Sequence, residues 1–116
     1  MPKIKIKVEI ENSLDKQTIE TQAILEEDII KYYENDKTRV IMNLKDKTLI
    51  RENDKLKLYY SFKTGKGLIE VKEYSKIIDM DLNVIKMTRR GNSIRVVYKI
   101  DNEEFIYKVG EIKWVY

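Results

Sequence analysis

Four tyrosines and one arginine are the residues of this chain best placed to do chemistry. Ile30 stands two residues before Tyr32, and Leu58 and Phe62 flank Tyr60 at the same spacing. Val96 and Ile100 flank Tyr98 in the same way, as Phe105 and Val109 flank Tyr107. Residues two apart on a strand share one face, so all four phenols fall on the apolar side of their strands. There they either fill core volume with each hydroxyl satisfied at an edge, or line a cavity with a few polar tips. Arg51 is in phase with Leu49. An inward arginine at a barrel rim can hold a carboxylate or phosphate through two N–H groups. An arginine at a strand end instead reaches solvent or pairs with a nearby glutamate.

Other chemistries are weaker or excluded. Asp79, Asp81 and Asn83 are spaced like the start of a calcium loop, but Val84 and Arg90 stand where that loop needs glycine and glutamate. In a strand they form an exposed row opposite Ile78, Met80 and Leu82. Arg89-Arg90-Gly91-Asn92 reads as a basic hairpin tip. With Lys86, Arg95 and an outward Tyr59 it can contact RNA by phosphate pairing and stacking, although a solvated turn is the simpler reading. The chain has no Cys and no His. That removes disulfides, thiol chemistry, Cys/His zinc sites and Ser-His or Cys-His nucleophile pairs. Acid–base work falls to Asp, Glu, Lys or Tyr, and no spacing among the 20 acidic residues singles out a pair. No catalytic residue, metal ligand or cofactor is implied.

The elements that must position these residues are strands. Ile4, Ile6, Val8 and Ile10 interleave with Lys3, Lys5, Lys7, Glu9 and Glu11, and similar alternation recurs to the end of the chain. Strands are expected at 3–11, 17–25, 28–34, 38–44, 47–52, 55–63, 67–74, 77–87, 93–100 and 104–115. Within 14–30, Ser13 as a cap with Leu14, Ile24 and Leu25 on one side suggests a helix; Thr18, Ile19, Thr21 and Ile24 favour strand. With 4 glycines and 1 proline, Asn and Asp must make most turns. Ile112 and Trp114 fall out of phase with Phe105, Tyr107 and Val109, which suggests a bulge at Gly110. Strands this numerous, with almost no helix to cover them, must close or stack. Short connections favour a single antiparallel up-and-down barrel of eight to ten strands over a two-sheet sandwich.

Charged residues make up 37% of the chain at a net charge of +3. Their signs mix along the strands, which makes nucleic acid an unexpected partner. No run approaches a membrane helix and no apolar signal core opens the chain, so a cytoplasmic protein with no membrane partner is expected.

One resemblance covers nearly the whole chain. It runs through Ile29-Ile30-Lys31-Tyr32-Tyr33, Thr38-Arg39-Val40-Ile41 and Leu49-Ile50-Arg51. It continues through Leu58-Tyr59-Tyr60-Ser61-Phe62, the segment Gly65 to Val71, and Ile94 to Ile100. Their order and spacing resemble the YwiB-like family of small bacterial proteins with a calycin-like β-barrel. The resemblance implies a lipocalin-like fold from a superfamily of mostly ligand-holding barrels, and no established activity. The Gly-x-Trp of lipocalins and the Arg-x-Tyr of fatty-acid-binding proteins are missing, so neither family's ligands carry over. The expectation is one domain over 1–116, a non-enzymatic barrel holding a small amphipathic ligand beside Tyr32, Arg51, Tyr60, Tyr98 and Tyr107. The alternative is a protein- or RNA-interaction module built on the Arg89-Arg90 tip and the outward tyrosines.

Overall fold

The alternation becomes strand throughout. In the computed structural model, which describes residues 3–112, β1 (Lys3–Glu11) buries Ile6 and Val8 and exposes Lys3, Lys7 and Glu11. There follow β2 (Lys16–Glu26), β3 (Ile29–Tyr33), β4 (Arg39–Asn43), β5 (Thr48–Glu52), β6 (Leu56–Ser61) and β7 (Lys66–Val71). The last four are β8 (Lys76–Asp81), β9 (Asn83–Arg90), β10 (Ser93–Ile100) and β11 (Glu103–Glu111). Between β7 and β8 lies a 3-10 turn, Lys72–Tyr74. The ambiguous stretch after Ser13 is β2, and Leu14 sits 91% exposed in the turn before it. No helix among the described residues is long and apolar enough to cross a membrane.

All eleven strands form one sheet in the order β8-β7-β6-β5-β4-β3-β2-β1-β11-β10-β9. Neighbours are antiparallel and consecutive in the chain, except that the first strand pairs with the last. This is an up-and-down meander rolled into a nearly closed barrel. It has one strand more than expected because residues 77–87 are not one strand. β8 pairs with β7 and β9 pairs with β10, with Leu82 alone between them. One almost continuous strand therefore forms both edges of the sheet and changes neighbours at Leu82.

Backbone contacts fix that changeover. The Leu82 N–H donates to the Gly65 carbonyl at 2.8 Å, and the Leu82 side chain is buried. Gly65 has φ 73°, and a Cβ there would stand 2.9 Å from the Leu82 carbonyl oxygen. Only glycine meets both conditions without strain.

Four turns share one device. The side-chain oxygens of Asn12, Asn35, Asn43 and Asn53 each accept from the backbone N–H groups two and three residues on. Asparagine thus does in this chain what glycine-rich turns do elsewhere.

The bulge expected at Gly110 is absent. β11 runs in unbroken register, with Val109 opposite Val8, Gly110 opposite Lys7 and Glu111 opposite Ile6. Glycine is there because a side chain would crowd its neighbour: an added Cβ would lie 3.1 Å from Ser93 Oγ. Trp114 lies outside the described residues. The register shift that does occur is in β9, where Val97 pairs with Lys86 but Tyr98 with Val84, leaving Ile85 as the extra residue.

The core is continuous around the barrel. Ile6, Val8, Ile30, Met42, Ile94, Val96 and Val109 are fully buried and come from five strands spread around the sheet.

Gly65→Ala is expected to lower stability by about 2 kcal/mol or more, combining left-handed strain with the clash against Leu82. Gly91→Ala, with φ 56° but nothing within 4 Å of an added Cβ, is expected to cost about 1 kcal/mol. Urea unfolding of the two variants measures the difference; equal losses would show that the Leu82 contact contributes nothing.

Candidate functional site

The interior end that holds the tyrosines is built from β3, β5, β6, β10 and β11. Tyr32, Tyr60, Tyr98 and Tyr107 are all buried. Tyr32 and Tyr107 meet across the barrel in a hydroxyl–hydroxyl hydrogen bond. Tyr60 and Tyr98 pack edge to face at 5.8 Å, Phe62 lies 5.3 Å from Tyr98, and Tyr98 stacks on Phe105 at 5.5 Å. None of the barrel's main clefts is lined by these four tyrosines. The rings form a floor, and the accessible surface lies beside it.

Burial pushes all four phenols above their ordinary range, Tyr107 most strongly. For Tyr32 the bond from Tyr107 works against burial, the Glu34 carboxylate adds to it, and the Arg51 guanidinium opposes it. Arg51 also lowers Tyr60 and Tyr98. All four are therefore neutral hydroxyls at physiological pH, able to donate but not to act as phenolates.

Arg51 lies cross-strand from Val40 and Leu58, so its backbone is in the interior phase. Its side chain is 47% exposed and turns toward Glu34. Nη2 and Nε both donate to Glu34 Oε2, at 2.7 and 3.0 Å. An inward phase and a glutamate partner, separate possibilities in the sequence, thus occur together. The Glu34 side chain is 3% exposed, and its Oε1 is buried with no hydrogen-bond partner. Glu34 escaped sequence reasoning because it sits in the turn capped by Asn35. The available signal was phase, since Glu34 follows Ile30 and Tyr32 at spacing two.

Beside this pair the barrel wall is uncovered. Arg51, Leu58, Ile69 and Ile78 form one cross-strand row on the inner face from β5 to β8. Leu58 and Ile69 are half-buried, and Ile78 is 41% exposed. In the next row Leu56 opposes Val71, and Leu56 is also exposed. The unpaired edge of β8 faces the β10–β11 turn across a cleft of about 800 Å³ whose lining mixes Ile78, Met80 and Ile100 with the charged Asp79, Asp81 and Lys99. An apolar ledge thus runs from a half-exposed guanidinium to an open notch.

The other sequence candidates are dispersed. Arg89 does not belong to a free basic tip: its Nη2 donates to Asp28 Oδ1 at 2.6 Å and its Nε to the Gly91 carbonyl. It clasps the edge of β9 to the turn between β2 and β3. Tyr33 and Tyr74 are exposed, but on β3 and the 3-10 turn. Asp79, Asp81 and Asn83 are exposed, and Asp81 is paired with Lys66 at 2.7 Å. Among the described residues no group of three or more His, Cys, Asp or Glu is arranged to hold a metal.

No protein-family model, curated protein or solved structure matches this chain. The chemistry of the site therefore rests on its own geometry: a half-exposed cation, a buried acceptor with one open oxygen, neutral phenols beneath and an apolar ledge alongside.

Two consequences follow for stability. A phenol whose folded pKa is raised contributes stability that is complete below its unfolded value, about 10, and is lost as pH rises through the folded value. Stability is expected to fall above about pH 10, and Tyr98→Phe to flatten that fall; urea midpoints at neutral and alkaline pH test this. Arg51→Ala leaves a buried carboxylate without its partner and is expected to cost about 1–3 kcal/mol. Arg39→Ala, which leaves the better solvated Glu52 still paired with Lys72, is expected to cost under about 1 kcal/mol. Equal costs by denaturant unfolding would mean that the burial of Glu34 has no energetic consequence.

Proposed function

We propose that this protein is a non-enzymatic barrel of the YwiB-like kind that binds one small amphipathic molecule at the mouth beside Arg51. The observation that carries the reading is the in-register row Arg51–Leu58–Ile69–Ile78 on the inner face, uncovered toward its far end. Leaving inner-face apolar surface in water forgoes about 25 cal/mol for every Å². Contiguous uncovered apolar surface on a monomer usually serves a partner or ligand. The row crosses three inter-strand spacings, roughly 14 Å, so it suits an aliphatic tail of that length. The outward edge of the guanidinium suits an acceptor head such as a carboxylate or phosphate. Tyr32, Tyr60, Tyr98 and Tyr107 act as the floor. Neutral and packed on one another, they fix the wall against which Arg51 and Glu34 are held.

The test uses decanoate and decanol with the full chain. Native mass spectrometry is expected to show one bound decanoate, with amide shifts centred on Arg51, Leu58, Ile69 and Ile78 in NMR titration. Ile78→Asp is expected to abolish binding of both compounds. Arg51→Gln is expected to weaken decanoate about tenfold while leaving decanol little changed. Absence of any adduct, or shifts centred on the outer-face patch of Ile50, Tyr59, Leu68 and Ile77, would overturn the proposal.

A further inference from the structure

We infer that the outer face of β9, β10, β11 and β1 carries a second site, for a small molecule bearing two or more phosphate groups. It is independent of the mouth beside Arg51 and lies on the opposite surface of the sheet. The site is a cleft of about 600 Å³ whose lining includes Lys7, Lys86, Arg90, Arg95 and Lys108.

Three features point to an anionic occupant. The first is unbalanced charge. The cleft sets two acids against five basic residues: Glu9 lies opposite Lys108 and pairs with Lys7 and Lys16, and Glu111 accepts from Asn92, which leaves an excess of positive charge. Lys86, Arg90 and Arg95 make no ion pair or side-chain hydrogen bond among the described residues, and Lys108 has Glu9 as its cross-strand neighbour. The second is register. Arg95 lies directly opposite Lys108 across β10 and β11, a like-charge pairing in which Glu9, on the far side of Lys108, balances one charge and leaves the other. The third is Gly110. It sits in the middle of the cleft, opposite Lys7, in a strand whose register is regular. A glycine inside a regular strand marks a place of close approach. Here the close approach is that of Ser93, whose Oγ would stand 3.1 Å from a Cβ on Gly110, and the hydroxyls of Ser93 and Thr88 line the cleft as donors.

The dimensions choose among anions. From β9 to β1 is three inter-strand spacings, roughly 14 Å, too wide for one phosphate to meet all the cations. Among the described residues no aromatic side chain lines the cleft, so nucleobases have no ring to stack on. An oligophosphate fits these conditions better than single-stranded nucleic acid.

Tripolyphosphate titrated into the full chain by calorimetry provides the test. Saturable binding is expected, weakening as salt is raised. Arg95→Glu and Lys108→Glu are each expected to reduce affinity about tenfold or more. Gly110→Val is expected to do the same by displacing Ser93 and narrowing the cleft. Should it fail to fold, the two surface-charge variants still decide the question. Lys63→Glu makes the same change in net charge at an exposed turn outside the cleft, and is expected to leave affinity unchanged. Equal weakening by Lys63→Glu, or no binding of tripolyphosphate, would overturn the proposal. So would binding of a single-stranded oligonucleotide in its place.

Discussion

The fold depends on how an eleven-stranded sheet disposes of its two edges. An open sheet exposes two rows of unpaired backbone groups that invite association. In this chain the two edge strands, β8 and β9, are one nearly continuous strand that exchanges neighbours at Leu82. The exchange works only if Leu82 is pinned, and the turn at Gly65 pins it through a backbone hydrogen bond and a clearance that admits no Cβ. The same solution leaves half of each edge strand unpaired. β9 is tied back by Arg89 to Asp28. β8 is not tied back in this way, and its free side opens the notch where Ile78 and Met80 lie. The opening beside Ile78 and Met80 is thus a consequence of how the barrel closes.

The polar groups at that mouth work against stability. Taking a carboxylate such as that of Glu34 out of water costs several kcal/mol, which its guanidinium partner, keeping half its surface in solvent, must offset. The second carboxylate oxygen receives no hydrogen bond at all. Aliphatic side chains at these positions would pack more favourably. Retaining an ion pair there makes physical sense where a polar group must be presented to something that arrives from outside.

Much of this architecture was legible because its cause is local. Alternation gave nearly every strand, and asparagine gave the turns, since an Asx turn needs only the residue and its next three neighbours. The division at Leu82 was not legible. Ile78, Met80, Leu82 and Val84 continue one phase straight through it, and a change of hydrogen-bonding partner leaves no trace in the order of side chains. Arg51 was readable as inward by phase. The burial of Glu34 was not, because it depends on an arginine seventeen residues away. The outer cleft was hidden for the same reason. Lys86, Arg95 and Lys108 come together through the consecutive pairing of β9, β10 and β11, and Lys7 joins them only through the pairing of first and last strands. That pairing also explains the misreading of Gly110: a glycine in a strand reads as a bulge when its cross-strand neighbours are unknown.

Period two lets one small sheet present two different faces. Arg95 points out between Ile94 and Val96, which point in; Gly110 lines the outer cleft beside Val109, which fills the core. A substitution at one position therefore alters one face and spares the other. The separation has a condition, since a slip of one residue between β1 and β11 would exchange the faces wholesale. Val109 would leave the core and Gly110 would enter it, losing both packing and the close approach of Ser93. The apolar burial of Val8 against Val109 is what holds that register. The interior thus keeps the outer cleft in place: the strength of the core on one side of the sheet determines the arrangement of charge on the other.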